Sequence, residues 1–230
     1  KGVAVTTITK GGISGLGFAP DEARRGTLVY LHGGGYSRGS ALSHRALVAR
    51  MSKAFGLKAV SINYRMAPEH PCPAAIEDAV AAIRAVMADE KGPVILSGDS
   101  AGGGLALAAT LRLRDAGERM PDALYLLSPW TDLSMSGESV RSKADRDPML
   151  NPDYLGAGGQ LYLGGRPGND PEASPLFADL KGLPPTLIQV GSDEILLSDS
   201  TRLAEKLEAE GVPVDCEIWD GMWHDFQIFS

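Results

Sequence analysis

Short runs of consecutive apolar residues recur along the chain, separated by longer segments in which apolar residues repeat at helical spacing. The runs lack the polar alternation of a strand with one face in water, so each predicts a strand that is covered on both faces. The six runs lie at residues 27–31, 57–62, 94–96, 123–127, 186–190 and 214–219. Residues 3–8 and 13–18 flank Lys10-Gly11-Gly12 and predict a β-hairpin.

The intervening segments predict helices at residues 43–55, 73–87, 101–116 and 152–163, and from Ser198 to a stop at Gly211. Strands that alternate with helices predict an α/β fold, with a mostly parallel, doubly wound sheet and an antiparallel hairpin at its N-terminal edge. In such sheets the functional site lies beyond the carboxyl ends of the strands. Candidate functional side chains should therefore directly follow strands.

One of these strands leads into Gly98-Asp99-Ser100-Ala101-Gly102, after which an Ala- and Leu-rich helix begins. Strand, sharp turn and helix with a serine at the apex match the G-x-S-x-G nucleophile elbow. The tight turn requires small residues beside the serine, and the free N–H groups at the helix start favour a nearby oxyanion. We therefore predict that Ser100 is a nucleophile and that Asp99 is a structural acceptor or a group that tunes the elbow.

A second glycine-rich turn, His32-Gly33-Gly34-Gly35, follows the strand at residues 27–31. It matches the H-G-G-G oxyanion loop of lipases and esterases, in which backbone N–H groups face the ligand because no side chains intervene. We expect His32 to hold this loop in place through a hydrogen bond rather than to act as an acid or base.

A serine nucleophile needs a general base within hydrogen-bond reach. The chain has four histidines, and only His224 follows the last predicted strand. His32 and His44 precede the elbow, and His70 lies in a proline-rich loop. We therefore predict that His224 is the base and expect His44 to have a surface or loop-packing role.

The base in turn needs an acid that fixes its tautomer. Asp193 directly follows a predicted strand and is the preferred candidate, while Glu194 and Asp199 lie nearby. Asp199 better suits the start of the following helix. Asp220 and Asp225 flank the histidine on one short turn, where neighbouring side chains rarely face each other. The order serine, acid, histidine is the one that the α/β-hydrolase fold requires.

Length and composition set the class of protein. A chain of 230 residues with 43% hydrophobic and 22% charged residues fits one globular domain, spanning 1–230. The net charge of −7 and the absence of a basic run argue against nucleic acid as a partner. No signal-peptide pattern or membrane span is evident, and Cys72 and Cys216 are expected to be free thiols. We therefore expect a cytoplasmic location.

Residues 133–175 are irregular and predict an insertion over the site.

These features together resemble the hormone-sensitive-lipase-like family, a group of bacterial carboxylesterases with the α/β-hydrolase fold. The resemblance spans nearly the whole chain. The motifs that carry it are His32–Gly35 (HGGG), residues 64–74 (YRMAPEHPCPA), residues 98–103 (GDSAGG), residues 128–130 (SPW), Asp193 and His224.

The resemblance implies a triad of Ser100, Asp193 and His224. It also implies an oxyanion hole formed by the amides of Gly33, Gly34 and Ala101. The implied activity is hydrolysis of small, short-acyl carboxylic esters without a cofactor or metal, and a homodimer is plausible. Family members usually carry an N-terminal cap segment over the site, whereas this chain begins close to its first predicted strand, so we expect that segment to be absent, removed or disordered.

Two other functions fit the same sequence. An amidase or deacetylase would use the same triad, and a non-catalytic small-molecule receptor would share the fold. The candidate base at His224 argues against the receptor, since that function would leave it unexplained.

Overall fold

The computed structural model describes residues 2–229 and contains an eight-stranded sheet. The strands are β1 (Val3–Lys10), β2 (Ile13–Pro20), β3 (Thr27–Leu31), β4 (Lys58–Ile62), β5 (Val94–Asp99), β6 (Ala123–Leu127), β7 (Thr186–Gly191) and β8 (Val214–Trp219). Their order in the sheet is β1-β2-β4-β3-β5-β6-β7-β8. β2 runs antiparallel to both β1 and β4, and all other neighbours are parallel. The predicted fold class and N-terminal hairpin are confirmed.

The hairpin turn depends on two glycines. Gly11 and Gly12 both have positive φ, 57° and 83°, which suits a two-residue turn between right-twisted strands. A Cβ at Gly11 would also lie 2.3 Å from the Ala81 carbonyl oxygen, so the turn packs directly on a helix backbone.

Six helices connect or flank these strands in the described part of the chain: α1 (Arg45–Phe55), α2 (Ala74–Asp89), α3 (Ala101–Asp115), α4 (Ser139–Ser142), α5 (Pro152–Leu163) and α6 (Leu197–Ala209). α5 has its predicted bounds, because the Asn151 side chain accepts the Asp153 N–H at its start and Gly164 adopts the left-handed conformation at its end. α1 begins two residues later than predicted. Mutual hydrogen bonds between Ser40 and Ser43 hold the preceding segment in a turn.

The central strands of the sheet are covered on both faces, as continuous apolar runs predict. The edge strand β8 is not, because its residues are exposed or half-buried, so that prediction is wrong for residues 214–219. In β3, Val29 and Leu31 belong to a large core that includes residues of α2, α3, α5 and α6. Leu28 and Tyr30 point to the opposite face, where they pack with residues of α1. All five β3 residues are buried, so the strands end in a rigid edge that can position functional groups.

Cys72 and Cys216 are free thiols, as predicted. None of the helices within residues 2–229 combines the length and apolar character needed to cross a bilayer.

Candidate active site

Ser100 occupies the turn between β5 and α3 with φ 52° and ψ −121°, a conformation that costs energy for a residue with a Cβ. The elbow closes because two glycines permit close backbone contacts. A Cβ at Gly98 would lie 2.4 Å from the Gly102 carbonyl oxygen, and a Cβ at Gly102 would lie 2.0 Å from that of Leu31. The serine is thereby held at the end of the central strand, as the motif predicts.

The Ser100 side chain lines a cavity of about 410 Å³, called here the Ser100 cavity. Its hydroxyl makes no hydrogen bond to another described residue. Much of the cavity wall is apolar and comes from α5, the segment before it and the C-terminal turn, through Met149, Leu150, Tyr154, Leu155, Leu161 and Ile228. Part of the 133–175 segment thus borders the candidate nucleophile.

His224 follows β8 and lines the same cavity. Its Nδ1–H donates to Glu194 Oε2 at 2.6 Å, and both side chains are buried. The other carboxylate oxygen, Oε1, accepts the Ser128 hydroxyl at 2.8 Å and the Gly191 N–H at 2.6 Å. These bonds hold the Glu194 carboxylate in place. The carboxylate in turn orients the His224 ring, so that Nδ1 faces Glu194 and Nε2 is the nitrogen that Glu194 does not contact.

The expectation that Asp193 supports His224 is wrong, because the structure places Asp193 elsewhere. Its carboxylate lies 3.1 Å from Arg146 Nε and 3.7 Å from Lys143 Nζ, near the surface. The turn after β7 directs Asp193 towards these cations and the next residue, Glu194, towards the interior. Two adjacent acids after one strand carry no sequence signal that separates them, and only the direction of the turn decides between them.

The glycine-rich loop also differs from the expectation in one position. The Gly33 N–H donates to Asp99 Oδ1 at 3.0 Å, and the Tyr30 hydroxyl donates to the same oxygen at 2.6 Å. The Gly33 amide is therefore unavailable to an oxyanion, contrary to the prediction for that residue. Gly34 and Gly35 line the Ser100 cavity, and their amides donate to no described residue. The amide of Ala101, at the first position of α3, is likewise unpaired within the described chain.

His32 has the structural role expected of it. Its Nδ1–H donates to the Gly33 carbonyl at 2.8 Å, and its ring stacks on Tyr64 at 4.3 Å. The Tyr64 hydroxyl donates to the His32 carbonyl at 2.6 Å. Burial lowers the pKa of His32 to about 4, so the ring is neutral at pH 7 and serves to hold the loop.

His44 is more closely tied to the site than a surface or packing role implies. It is buried at the start of α1, lines the Ser100 cavity, and places Nε2 3.2 Å from Asp99 Oδ2. Asp99 thus receives contacts from Tyr30, Gly33 and His44, which makes it the acceptor that joins the elbow to the glycine-rich loop.

Two electrostatic effects act on His224. Burial by itself would lower its pKa, but the nearby carboxylates of Asp225 and Glu194 outweigh burial and raise the pKa well above 6.5.

Among residues 2–229, no group of three or more His, Cys, Asp or Glu side chains is arranged to hold a metal ion.

Comparisons with known proteins place this arrangement in a family. A family model described as the alpha/beta hydrolase fold matches residues 28–228. An esterase of Acinetobacter venetianus is 40% identical over 99% of this chain and 76% of its own length. An acetyl-hydrolase of Streptomyces hygroscopicus is 46% identical over 86% of this chain and 67% of its own length.

Solved structures give the same result. A crystal structure of an esterase from the bacterial hormone-sensitive lipase family is 42% identical and has a TM-score of 0.96, with 100% of this chain and 78% of that chain covered. A hormone-sensitive lipase from a metagenome library is 44% identical and has a TM-score of 0.97, with 100% and 79% covered. The chain therefore belongs to the hormone-sensitive-lipase-like bacterial carboxylesterases of the α/β-hydrolase fold, and it is a carboxylic ester hydrolase.

Proposed function

We propose that the chain hydrolyses short-acyl carboxylic esters through an acyl-enzyme on Ser100, with His224 as general base and Glu194 as its supporting acid. The observation that carries this proposal is the 2.6 Å contact between His224 Nδ1 and Glu194, made by a histidine that shares a cavity with the elbow serine. Serine, base and supporting acid are the three groups that this chemistry needs.

In the acylation step, Ser100 Oγ attacks the ester carbonyl and His224 Nε2 takes the hydroxyl proton. Negative charge develops on the former carbonyl oxygen, and the amides of Gly34, Gly35 and Ala101 stabilise it. One such donor is worth roughly 3–4 kcal/mol of transition-state stabilisation. His224 then gives its proton to the departing alcohol, which leaves an ester on Ser100.

Water completes the reaction by the same route. His224 Nε2 takes a proton from water as the water oxygen attacks the acyl carbonyl. Collapse of the second oxyanion releases the carboxylic acid and returns the proton to Ser100. Glu194 stays ionised throughout and stabilises each imidazolium that forms.

The Ser100 cavity supports small substrates. Its volume of about 410 Å³ lies in the lower part of the usual range of roughly 300–1,000 Å³ for ligand sites. Its apolar lining favours an acyl or alcohol group without charge. A long acyl chain would have to extend beyond the described cavity and would gain less from burial there.

A series of p-nitrophenyl esters from acetate to palmitate tests this proposal. We expect kcat/KM to be highest among the short chains and to fall steeply for long ones, because the cavity buries only a short acyl group. Matched anilides in the same assay test the amidase function. Faster hydrolysis of anilides than of esters would contradict the proposal, as would equal rates for acetate and palmitate.

The contact between Asp99 and the glycine-rich loop makes a separate prediction. Asp99→Ala removes the acceptor for the Gly33 N–H, and we expect kcat to fall roughly 10²-fold, about the loss of one oxyanion donor, because the loop loses its position. Asp99→Asn keeps a carbonyl oxygen for Gly33 and Tyr30, so its kcat should fall much less. Steady-state kinetics of both variants check this, and equal losses would show that hydrogen-bond acceptance at this position is not what matters.

A further inference from the structure

A second carboxylate contacts the histidine of the proposed triad. Asp225 Oδ2 lies 3.0 Å from His224 Nε2, and both side chains are buried. The other oxygen, Asp225 Oδ1, is buried and has no hydrogen-bond partner in the described chain. Asp225 also lines the Ser100 cavity, so this carboxylate stands where the reacting groups meet.

The backbone explains how two neighbours in sequence come to face each other. Asp225 has φ 53°, in the left-handed region that non-glycine residues rarely adopt. Its N–H lies 3.4 Å from Ser128 Oγ, the hydroxyl that also binds Glu194. A strained conformation of this kind persists only where surrounding contacts hold it, and such positions concentrate at functional sites.

The contact matters because of the nitrogen involved. Nε2 is the atom that must accept the Ser100 proton, and it can do so only when it carries no proton of its own. Carboxylates stand at both ring nitrogens, Glu194 at Nδ1 and Asp225 at Nε2. Two anions favour the imidazolium, the form that cannot act as a base.

Other ionisable groups surround His224 and Asp225, and the anionic ones also favour the imidazolium form of His224. Burial raises the pKa of Asp225, and the negative charges of Asp99 at the end of β5 and Glu194 after β7 raise it further, so that His224 and Asp225 titrate as a pair. Tyr30 of β3 is neutral because burial raises its pKa well above 10.0. His44, at the start of α1, contacts the Asp99 carboxylate through its Nε2 atom. Arg38 also lines the cavity, with its guanidinium 4.6 Å from the centre of the Tyr154 ring.

We propose that Asp225 is a positioning residue that holds His224 as the imidazolium in the resting enzyme and so sets the pH below which ester hydrolysis stops. The inference rests on the proposed role of His224 as general base. Activity requires the pair of His224 and Asp225 to lose one proton to solvent, after which Nε2 is free to take the Ser100 proton. The rate therefore rises with pH through the apparent pKa of this pair.

The test is the pH profile of kcat/KM for p-nitrophenyl acetate between about pH 5 and pH 9, in wild type and Asp225→Asn. Asparagine has nearly the same shape and tolerates positive φ, so the turn is retained while the charge is removed. We expect the acid limb to move by about one pH unit or more towards lower pH, because loss of an adjacent anion lowers the pKa of a histidine. Hydrolysis at the acid end of the range should rise accordingly.

Asp220→Asn is the matched control. It removes the same charge from an exposed position on the same turn, where the carboxylate accepts a hydrogen bond from the Ser192 hydroxyl at 3.4 Å. Its acid limb should match that of wild type. Titration of the His224 ring ¹⁵N shifts provides a readout that a purely structural role would not move, and it should show the same displacement in Asp225→Asn.

An acid limb and a ring titration unchanged in Asp225→Asn would overturn the inference while leaving the triad intact. If Asp225→Asn does not fold, Asp225→Gly removes the carboxylate with no strain at positive φ, and the same two results apply to it. Failure of the proposed function would look different, because Ser100→Ala would then hydrolyse the ester as fast as wild type at every pH.

Discussion

Replacing Ser100 by alanine is expected to lower kcat for p-nitrophenyl acetate by about a millionfold, since loss of the nucleophile of a serine triad has an effect of that order. The variant should keep its fold. The serine hydroxyl bonds to no described residue, so its removal leaves no buried partner unsatisfied. Alanine also keeps the backbone at φ 52° no more strained than serine does.

Ser37→Ala is the control for this experiment. Ser37 lines the same cavity but lies outside the elbow, and among the described residues it makes no hydrogen bond to His224 or Glu194. We expect its kcat to stay within about threefold of wild type, since a substitution away from the reacting groups removes little stabilisation of the transition state. Equal activity of Ser100→Ala and wild type, with matching thermal unfolding curves, would rule out Ser100 as the nucleophile.

Glu194→Gln should cause the second largest loss, about 10⁴-fold in kcat. The Oε1 position is fixed as an acceptor by the Gly191 N–H and the Ser128 hydroxyl, so the amide nitrogen of glutamine must face His224 Nδ1. That nitrogen donates, which forces Nδ1 to accept and puts the ring proton on Nε2. The histidine then holds the tautomer that cannot take a proton from Ser100.

Asp193→Asn is the matched variant at the neighbouring position. The Asp193 carboxylate forms ion pairs with Lys143 and Arg146, and both pairs are partly exposed. Such ion pairs contribute about 0–1 kcal/mol to stability. Its kcat should therefore remain close to that of wild type. A loss as large as that of Glu194→Gln would mean that Asp193, the residue implied by the family motif, supports the histidine after all.

Much of the fold could be predicted because its signals are local. The strands β3, β6 and β8 have the bounds that their apolar runs predict, and α5 is marked at both ends by capping residues. The elbow was predictable because only glycine fits at positions 98 and 102. Chain order alone distinguished His224 from the other histidines.

The parts of the site that could not be predicted depend on the direction of single turns. Asp193 and Glu194 are equivalent in the sequence, and the turn after β7 decides which carboxylate faces inwards. The Gly33 amide does not serve as the predicted oxyanion donor, because Asp99, which is distant in sequence, accepts a hydrogen bond from its N–H. Neighbouring side chains on a short turn rarely face each other, so the sequence argues against a contact between Asp225 and His224, yet a positive φ turns the Asp225 carboxylate back to the His224 ring.

Covalent labelling by diethyl p-nitrophenyl phosphate, read by mass spectrometry of the intact and digested protein, tests most directly whether Ser100 is an activated nucleophile. We expect one diethylphosphoryl adduct on the peptide that contains Ser100, with parallel loss of esterase activity. The adduct should be absent from Ser100→Ala and form far more slowly in Glu194→Gln. An unlabelled protein, or full inhibition with the adduct on another residue, would contradict the proposed mechanism.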